Sequence, residues 1–413
     1  MSKEMERAET IEEGEQGRGA PSGPLAGVKV LDLSTLLPGP YATALLADLG
    51  AEVTRVESPS RPDLVRALPP FVDGQSAVHL GLNRGKRSIA LDLKRVEGVG
   101  VARQLAERAD VLVEQFRPGV MARLGLDYET LSKDNPSLIY CSITGYGQHG
   151  PLAQRAGHDI NYLALAGVSS YSGRSGEGPR LSGTQVADLA GGAQPAVIAI
   201  LAALFERQGT GLGRHLDISM SDGALALNAL NISSTALSGD GPQCGDQLLN
   251  GGGLYDYYKT ADHRYLAIGS LEPQFATRLF EGLESPELSR EYGKPPGRQE
   301  GLRAALAELI QRRSLEEWIN VFEPLDCCVS AVLTLDEALK HPHFAARGVL
   351  RSTVQESGAE VMYVCSPAAA AFQLPSRSSG PMIGAHTDEL LAELGYTQAE
   401  RGELYQSGVA YSV

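Results

Sequence analysis

From Gly27 onward the chain alternates short apolar runs with stretches of helical period. Val28–Leu33 (VKVLDL) reads as a strand, and the following PGPYATALLADLG sets Ala42, Leu45, Leu46 and Leu49 at helical spacing. AEVTRVE is a second strand. Ser88–Leu93, Asp110–Gln115 and Leu138–Gly147 are further strand candidates, with a helix from Glu97 to Arg108 between the first two. Strands alternating with helices imply a parallel sheet covered on both faces. A long helix is expected from about Leu189 to Arg207, kinked at Pro195. After Ser219 the texture changes. Gly239–Asp246 and Asn250–Gly253 are rich in breakers, and YDYYKTADHRYLAIG reads as a hairpin turning at Ala261–His263. Helices near Gln274–Leu283, Gly301–Arg312 and Leu315–Phe322 complete a smaller α+β region.

The pattern divides the chain into four parts. Residues 1–24 form a disordered lead-in, 25–225 a large α/β domain, 226–350 a small α+β domain with its linkers, and 351–413 a C-terminal segment. The fold class expected is α/β, with a large open parallel sheet of Rossmann-like kind and a smaller α+β domain.

Composition narrows the partners. A net charge of −14 argues against a surface adapted to nucleic acid or anionic lipid, so a large anionic ligand needs a local basic patch. No run approaches the roughly 20 consecutive apolar residues of a membrane span. The first residues, MSKEMERAETIEEGEQGRGAPSG, lack the apolar centre of a signal peptide. Five cysteines without C-x-x-C spacing fit a reducing compartment, and a cytoplasmic location is expected.

Familiar motifs are missing. The first turn, STLLPGP, has no G-x-G-x-x-G, although Glu57 ends the second strand where a ribose-binding acid stands in dinucleotide folds. There is no P-loop, no H-E-x-x-H and no G-x-S-x-G, and His341 and His343 are two apart, on different faces of any helix. No metal or redox cofactor is expected.

Chemistry concentrates in RAGHDINYLALAG (Arg155–Gly167). His158 and Asp159 sit in a Gly-led loop before an apolar segment, where Asp159 serves equally as a helix cap. Thirty residues on, Asp188 heads the long helix. Gly191 and Gly192 next to it suggest that a ligand approaches this first turn closely. Glu272, in GSLEPQF, follows a strand and precedes Pro273. Arg84, Lys86, Arg87, Lys94 and Arg95 gather positive charge in twelve residues, either a phosphate site or a solvated loop.

Taken together, LPGPYATALLADLGAEVTRVE, RGKRSIALDLK, EQFRPGVMARLGLDYE, IYCSITGYGQHGP, AGHDINYLALAGV, the Asp188 helix, GRHLDISMSDG and IGSLEPQF resemble the family III CoA-transferase superfamily. The similarity runs from about Leu25 to about Leu394, and AGHDINYLALAG resembles its α-methylacyl-CoA racemase branch in particular. The resemblance implies an acyl-CoA thioester substrate, no cofactor beyond the CoA it carries, and a homodimer of interlocked rings whose C-terminal segments return to the large domain. It implies that His158 and Asp188 are catalytic and that Glu272 orients the histidine from the small domain. Leu91, Asp92, Leu93 and Lys94, then Gly157, Asp159, Ile160, Asn161 and Tyr162, and Arg117 match segments that contact the acyl-CoA, and Arg84, Lys86 and Arg87 are expected on its phosphates.

A thioester α-proton is weakly acidic, so inverting that carbon needs a base on one face, an acid on the other and donors for the enolate oxygen. A His and an Asp in opposite protonation states serve both substrate hands, and N–H groups at the start of the Asp188 helix are expected to hold the enolate. Two other readings remain: a CoA-transferase in which Asp188 is the nucleophile, and a non-catalytic acyl-CoA-binding protein. Ser58 stands where many relatives have a basic residue. Asn250, Gly253-Leu254, Pro195 and Ala331 also depart from the usual pattern, near the expected acyl chain.

Overall fold

The computed structural model describes residues 23–412. Nearly all of the expected N-terminal lead-in lies outside the described residues. The large sheet contains β1 (Lys29–Asp32), β2 (Glu52–Glu57), β3 (Lys86–Leu91), β4 (Val111–Glu114), β5 (Ile139–Thr144) and β6 (His215–Ser219). These six are parallel and lie in the order β3-β2-β1-β4-β5-β6. That is the order of doubly wound nucleotide-binding folds, so the expected open parallel sheet stands. The strand β6 was not foreseen, because HLDIS alternates exposed and partly buried positions at the sheet edge and lacks a long apolar run.

Between the strands run α1 (Pro38–Asp48), on one face, and α2 (Val96–Glu107), on the other. The first is buried along nearly its whole length. α3 (Asp159–Leu165) follows β5. The expected long helix begins as a π-helical turn, Ala187–Ala193, and continues as α4 (Gln194–Thr210). Pro195 falls where π bonding gives way to α bonding, so the change of helix type accommodates its missing N–H. The joined helix, Ala187–Thr210, is long and apolar enough to cross a membrane, which apolar runs alone did not reveal. Its inner face, Ala193, Ala196, Ile200 and Ala203, is buried in the core with α1.

The smaller region holds an antiparallel sheet of β7 (Asp256–Lys259), β8 (Tyr265–Ile268) and β9 (Val329–Ala331). Against it pack α5 (Pro273–Gly282), α6 (Glu300–Ile310) and α7 (Leu315–Phe322), closing a third core around Phe280, Trp318 and Phe322. The chain then returns. After the hairpin β10 (Leu350–Val354) and β11 (Glu360–Val364), helix α8 (Thr387–Leu394) packs near β3. The last strand, β12 (Ala410–Tyr411), adds to β3 antiparallel at the sheet edge.

A line of polar side chains crosses the sheet at the ends of three strands. Glu114 pairs in register with Ser142 and Ser142 with Asp217. Glu114 accepts the Phe116 N–H at 2.8 Å, while both Asp217 oxygens accept the Gln148 N–H at 3.0 Å. Burial pushes the Glu114 carboxyl up to about 7; hydrogen bonds to Ser142 and Phe116 oppose this, and Asp217 adds to it. A folded-state value above the ordinary 4.5 means that this group's stabilisation is complete below about 4.5 and is lost as pH rises through about 7. Glu114→Gln should remove that loss and make the protein more stable than wild type at pH 8, by on the order of 2–3 kcal/mol. Denaturant unfolding from pH 4 to pH 8 measures it; parallel curves for the two proteins would show that Glu114 ionises freely.

Candidate active site

Topology sets the place of the site. β1 and β4 are neighbours whose outgoing connections diverge, and a crevice opens beyond their carboxyl ends. This first cleft holds about 930 Å³. Its walls are the turns after the strands: Leu33–Leu36 region residues, Arg55–Ser58, Leu91–Lys94, Gln115–Pro118, Thr144–Gly145 and the Gly157–His158 loop, with Asp188 at one end. A second cleft, of about 1320 Å³, lies between this face and the small sheet, lined by Ile160, Leu163, Arg174, Leu249, Tyr255, Tyr257 and Cys328 among others. His158 and Asp188 line both clefts and so mark where they meet.

His158 is the residue before α3, in extended backbone, and its side chain is exposed. Its N–H is held by Asn161 Oδ1 at 3.0 Å. Tyr162 anchors the loop from beneath: its hydroxyl donates to Gly157 O at 2.6 Å, and its ring packs edge-on against Tyr146. A Cβ at Gly145 or Gly157 would strike the Tyr162 ring, at 2.6 and 2.7 Å, so both glycines are needed for this wrapping.

Asp188 sits in the first turn of the π-helical segment, and the helix Met220–Ala226 crosses close behind it. A Cβ at Gly191 would lie 2.9 Å from Ala224 N and from Met220 O, and one at Gly192 2.7 Å from Met220 Cγ. The paired glycines thus admit a neighbouring helix, not a ligand as the sequence suggested. Burial pushes the Asp188 carboxyl up to about 6; neighbouring Asp159 adds to the rise and His158 opposes it. The Asp188 N–H is already bonded to Asp159 Oδ1 at 3.0 Å, so it is not free for an enolate oxygen. In the first turn of α3 the Asn161 N–H is taken by His158 O at 2.8 Å, whereas those of Asp159 and Ile160 have no acceptor within their own helix.

The structure gathers most of the predicted residues. Leu91, Asp92, Leu93, Lys94, Arg117, Gly157, Asn161 and Tyr162 line the first cleft, and Asp159 and Ile160 the second. Four residues lie elsewhere. Arg84 is buried and clamps Asp48 through Nε and Nη2, at 2.9 and 2.6 Å. Lys86 is fully buried, with Nζ 3.0 Å from Asp32 and bonded to Asn83 and Pro40 O. Arg87 pairs with Glu393 beyond the sheet edge. These three line neither cleft, which corrects their expected role as phosphate ligands: strand β3 points them into the fold or at α8. Glu272 starts helix α5, is exposed near Cys328, and lines neither cleft of its own chain.

Other cations stand at the first cleft. Arg61, Lys94, Arg117 and Arg155 rim the first cleft, are exposed, and have no acidic partner among the described residues. Arg61 lies three residues beyond Ser58, the position where relatives carry a basic residue. In the cleft walls, buried Arg55 has Nε and Nη1 without hydrogen-bond partners, and Thr144 Oγ1 is likewise unpartnered. Sequence reading missed Arg55, Arg61, Thr144 and Arg155, although Arg55, Thr144 and Arg155 lie inside the motifs that carry the resemblance or the chemistry. Among the described residues, no group of three His, Cys, Asp or Glu side chains is arranged to hold a metal ion.

The site is thus a cation-rimmed crevice at the switch point of a nucleotide-type sheet, ending at a His and a raised carboxyl. The chain belongs to CoA-transferase family III, whose profile matches residues 25–387. Its relatives include both racemases and transferases. It is 39% identical over 389 residues to the human alpha-methylacyl-CoA racemase, covering 92% of this chain and 95% of that one. To the acetyl-CoA:oxalate CoA-transferase of Acetobacter aceti it is 34% identical, covering 80% and 86%. The crystal structure of a CAIB/BAIF family protein from Brucella suis superposes with a TM-score of 0.78 at 30% identity, covering 90% of this chain and 99% of that one. The protein is therefore an enzyme of the family III CoA-transferase and racemase group.

The reassigned basic residues give a sharp test. Lys86→Ala leaves Asp32 buried without its partner and should cost on the order of 3–5 kcal/mol of stability. Arg117→Ala, at an exposed and unpaired cation, should leave stability within about 0.5 kcal/mol of wild type. Urea unfolding compares them; equal stabilities for both variants would contradict the buried placement of Lys86.

Proposed function

We propose that this enzyme inverts the α-carbon of 2-methyl-branched or related acyl-CoA thioesters by two-base proton transfer. The observation that carries the reading is the placement of His158 and Asp188, from separate elements, on the wall shared by two clefts. CoA lies along the first cleft, its phosphates against Arg61, Lys94, Arg117 and Arg155, with Arg55 and Thr144 offering unused polar atoms on the way. The acyl group extends into the second cleft. Its walls combine Ile160, Leu163 and Leu249 with the phenols of Tyr255 and Tyr257.

One base takes the α-proton, leaving an enolate whose oxygen faces the first-turn N–H groups of α3. The other residue, protonated, delivers a proton to the opposite face, so the α-carbon inverts and the two residues exchange protonation states. Solvent exchange resets them. An Asp held near 6 suits both duties: it ionises readily and also keeps a useful protonated fraction close to neutral pH. Its chemistry is also compatible with transfer of CoA through an acyl-Asp188 anhydride, the reaction class of the similar transferases.

Glu272 enters from a second chain in this account. The interlocked homodimer implied by resemblance is supported by large apolar side chains left exposed on the single chain, including Ile198 and Phe205 on α4 and Leu230 and Leu237 beyond it. From the partner, Glu272 orients His158.

Incubation in deuterium oxide with 2-methyldecanoyl-CoA tests the reaction. A racemase gives equal mixtures from either enantiomer with deuterium at the α-carbon, and no Asp188 adduct with hydroxylamine. A trapped adduct together with CoA transfer to free carboxylates would replace this reading by the transferase. pH adds a second check. Turnover of the hand that Asp188 protonates should fall as pH rises through about 6, and turnover of the hand it deprotonates should rise through the same value. Identical profiles for both hands would contradict the assignment.

A further inference from the structure

A second carboxylate, Asp159, stands beside Asp188 and has no use in proton transfer itself. It is the first residue of α3, directly after His158, and its side chain turns toward the facing π-helical segment. There Oδ1 accepts the Asp188 N–H at 3.0 Å, so one hydrogen bond ties the element of one proposed base to the element of the other. No cation pairs with Asp159 among the described residues, so its negative charge faces Asp188 uncompensated. The other groups around Asp188 are His158 and the Tyr162 hydroxyl, both from the α3 region, with Arg117 and Tyr146 acting on Tyr162.

We propose that Asp159 is a positioning residue that fixes Asp188 against the His158 loop and, by its charge, keeps Asp188 able to hold a proton near neutral pH. Burial is the larger cause that holds the Asp188 carboxyl up, and the neighbouring charge of Asp159 adds to it. Resemblance places Asp159 among residues contacting the acyl-CoA, and it lines the second cleft while its Oδ1 is bonded to the backbone of the second base. The catalytic half of this inference rests on the two-base reading above, but its electrostatic half does not.

The two roles separate by substitution. Asp159→Asn keeps an acceptor oxygen and removes the charge; Asp159→Ala removes both; Asp159→Glu keeps the charge. The full chain labelled with ¹³C at aspartate carboxyls reports the Asp188 titration by NMR, with its resonance assigned through Asp188→Asn. Wild type should titrate near 6. Asp159→Asn should lower the midpoint by about one pH unit, and Asp159→Glu should retain it. In deuterium exchange of 2-methyldecanoyl-CoA at pH 6.5, Asp159→Asn should slow the hand protonated by Asp188 up to roughly tenfold with KM unchanged, whereas Asp159→Ala should slow both hands. An unmoved Asp188 midpoint in Asp159→Asn, or a fall in Asp159→Glu, would reduce Asp159 to a helix cap and overturn the proposal. Because the titration is read without turnover, absence of exchange in wild type would count against the two-base reading alone.

Discussion

The site depends on a seam where two helices meet backbone to backbone. Gly191 in the π-helical segment and Gly223 in the helix Met220–Ala226 face each other so closely that a Cβ on either would overlap the other chain segment. The seam fixes the first turn of the long helix, and with it Asp188, at the end of the cleft. The π bonding of that turn is the backbone's accommodation to this contact and to Pro195 one residue into the α segment. Across the gap, the Tyr162 ring wrapped by Gly145 and Gly157 fixes His158 in the same way. Two close approaches, each possible only at glycine, thus place Asp188 and His158 at the meeting point of two clefts.

Beneath the first cleft lies a framework of buried charge. Asp32 with Lys86, Asp48 with Arg84, and Arg55 with Asp63 and Glu57 are withdrawn from water behind the strand ends. Such pairs add little net stability over apolar packing, but breaking one leaves a charge stranded. They tie the start of β3 to the end of β1, the turn before β3 to the end of α1, and β2 to the segment that follows it. They keep Arg55, Arg84 and Lys86 out of solvent, leaving the exposed Arg61, Lys94, Arg117 and Arg155 at the rim. The basic residues of this strongly acidic chain are thus divided here between scaffold and rim.

The sheet was legible because its strands are buried on both faces and therefore read as apolar runs; five of the six parallel strands were visible this way. β6 escaped because an edge strand needs no such run, and the short third strand Val329–Ala331 for the same reason. His158 and Asp188 were visible through motif resemblance. The fate of Arg84, Lys86 and Arg87 was not, because alternation along a strand sends neighbours to opposite faces and the sequence does not say which face is buried. Lys86 meets Asp32 across 54 positions of chain, a pairing set by the parallel register β3-β2-β1 and by nothing local. Gly191 and Gly192 misled for a related reason: glycine signals a close approach but not the identity of what approaches.

The central claim is that His158 and Asp188 each serve one face of the same carbon. It is tested most directly by measuring α-deuterium incorporation into each separate enantiomer of 2-methyldecanoyl-CoA with His158→Ala and with Asp188→Ala. The account predicts mirror-image results: each variant loses interconversion yet still exchanges one hand slowly, by its remaining base, and the surviving hand differs between the two. Loss of exchange of both hands in both variants, with acyl-CoA binding intact, would contradict it.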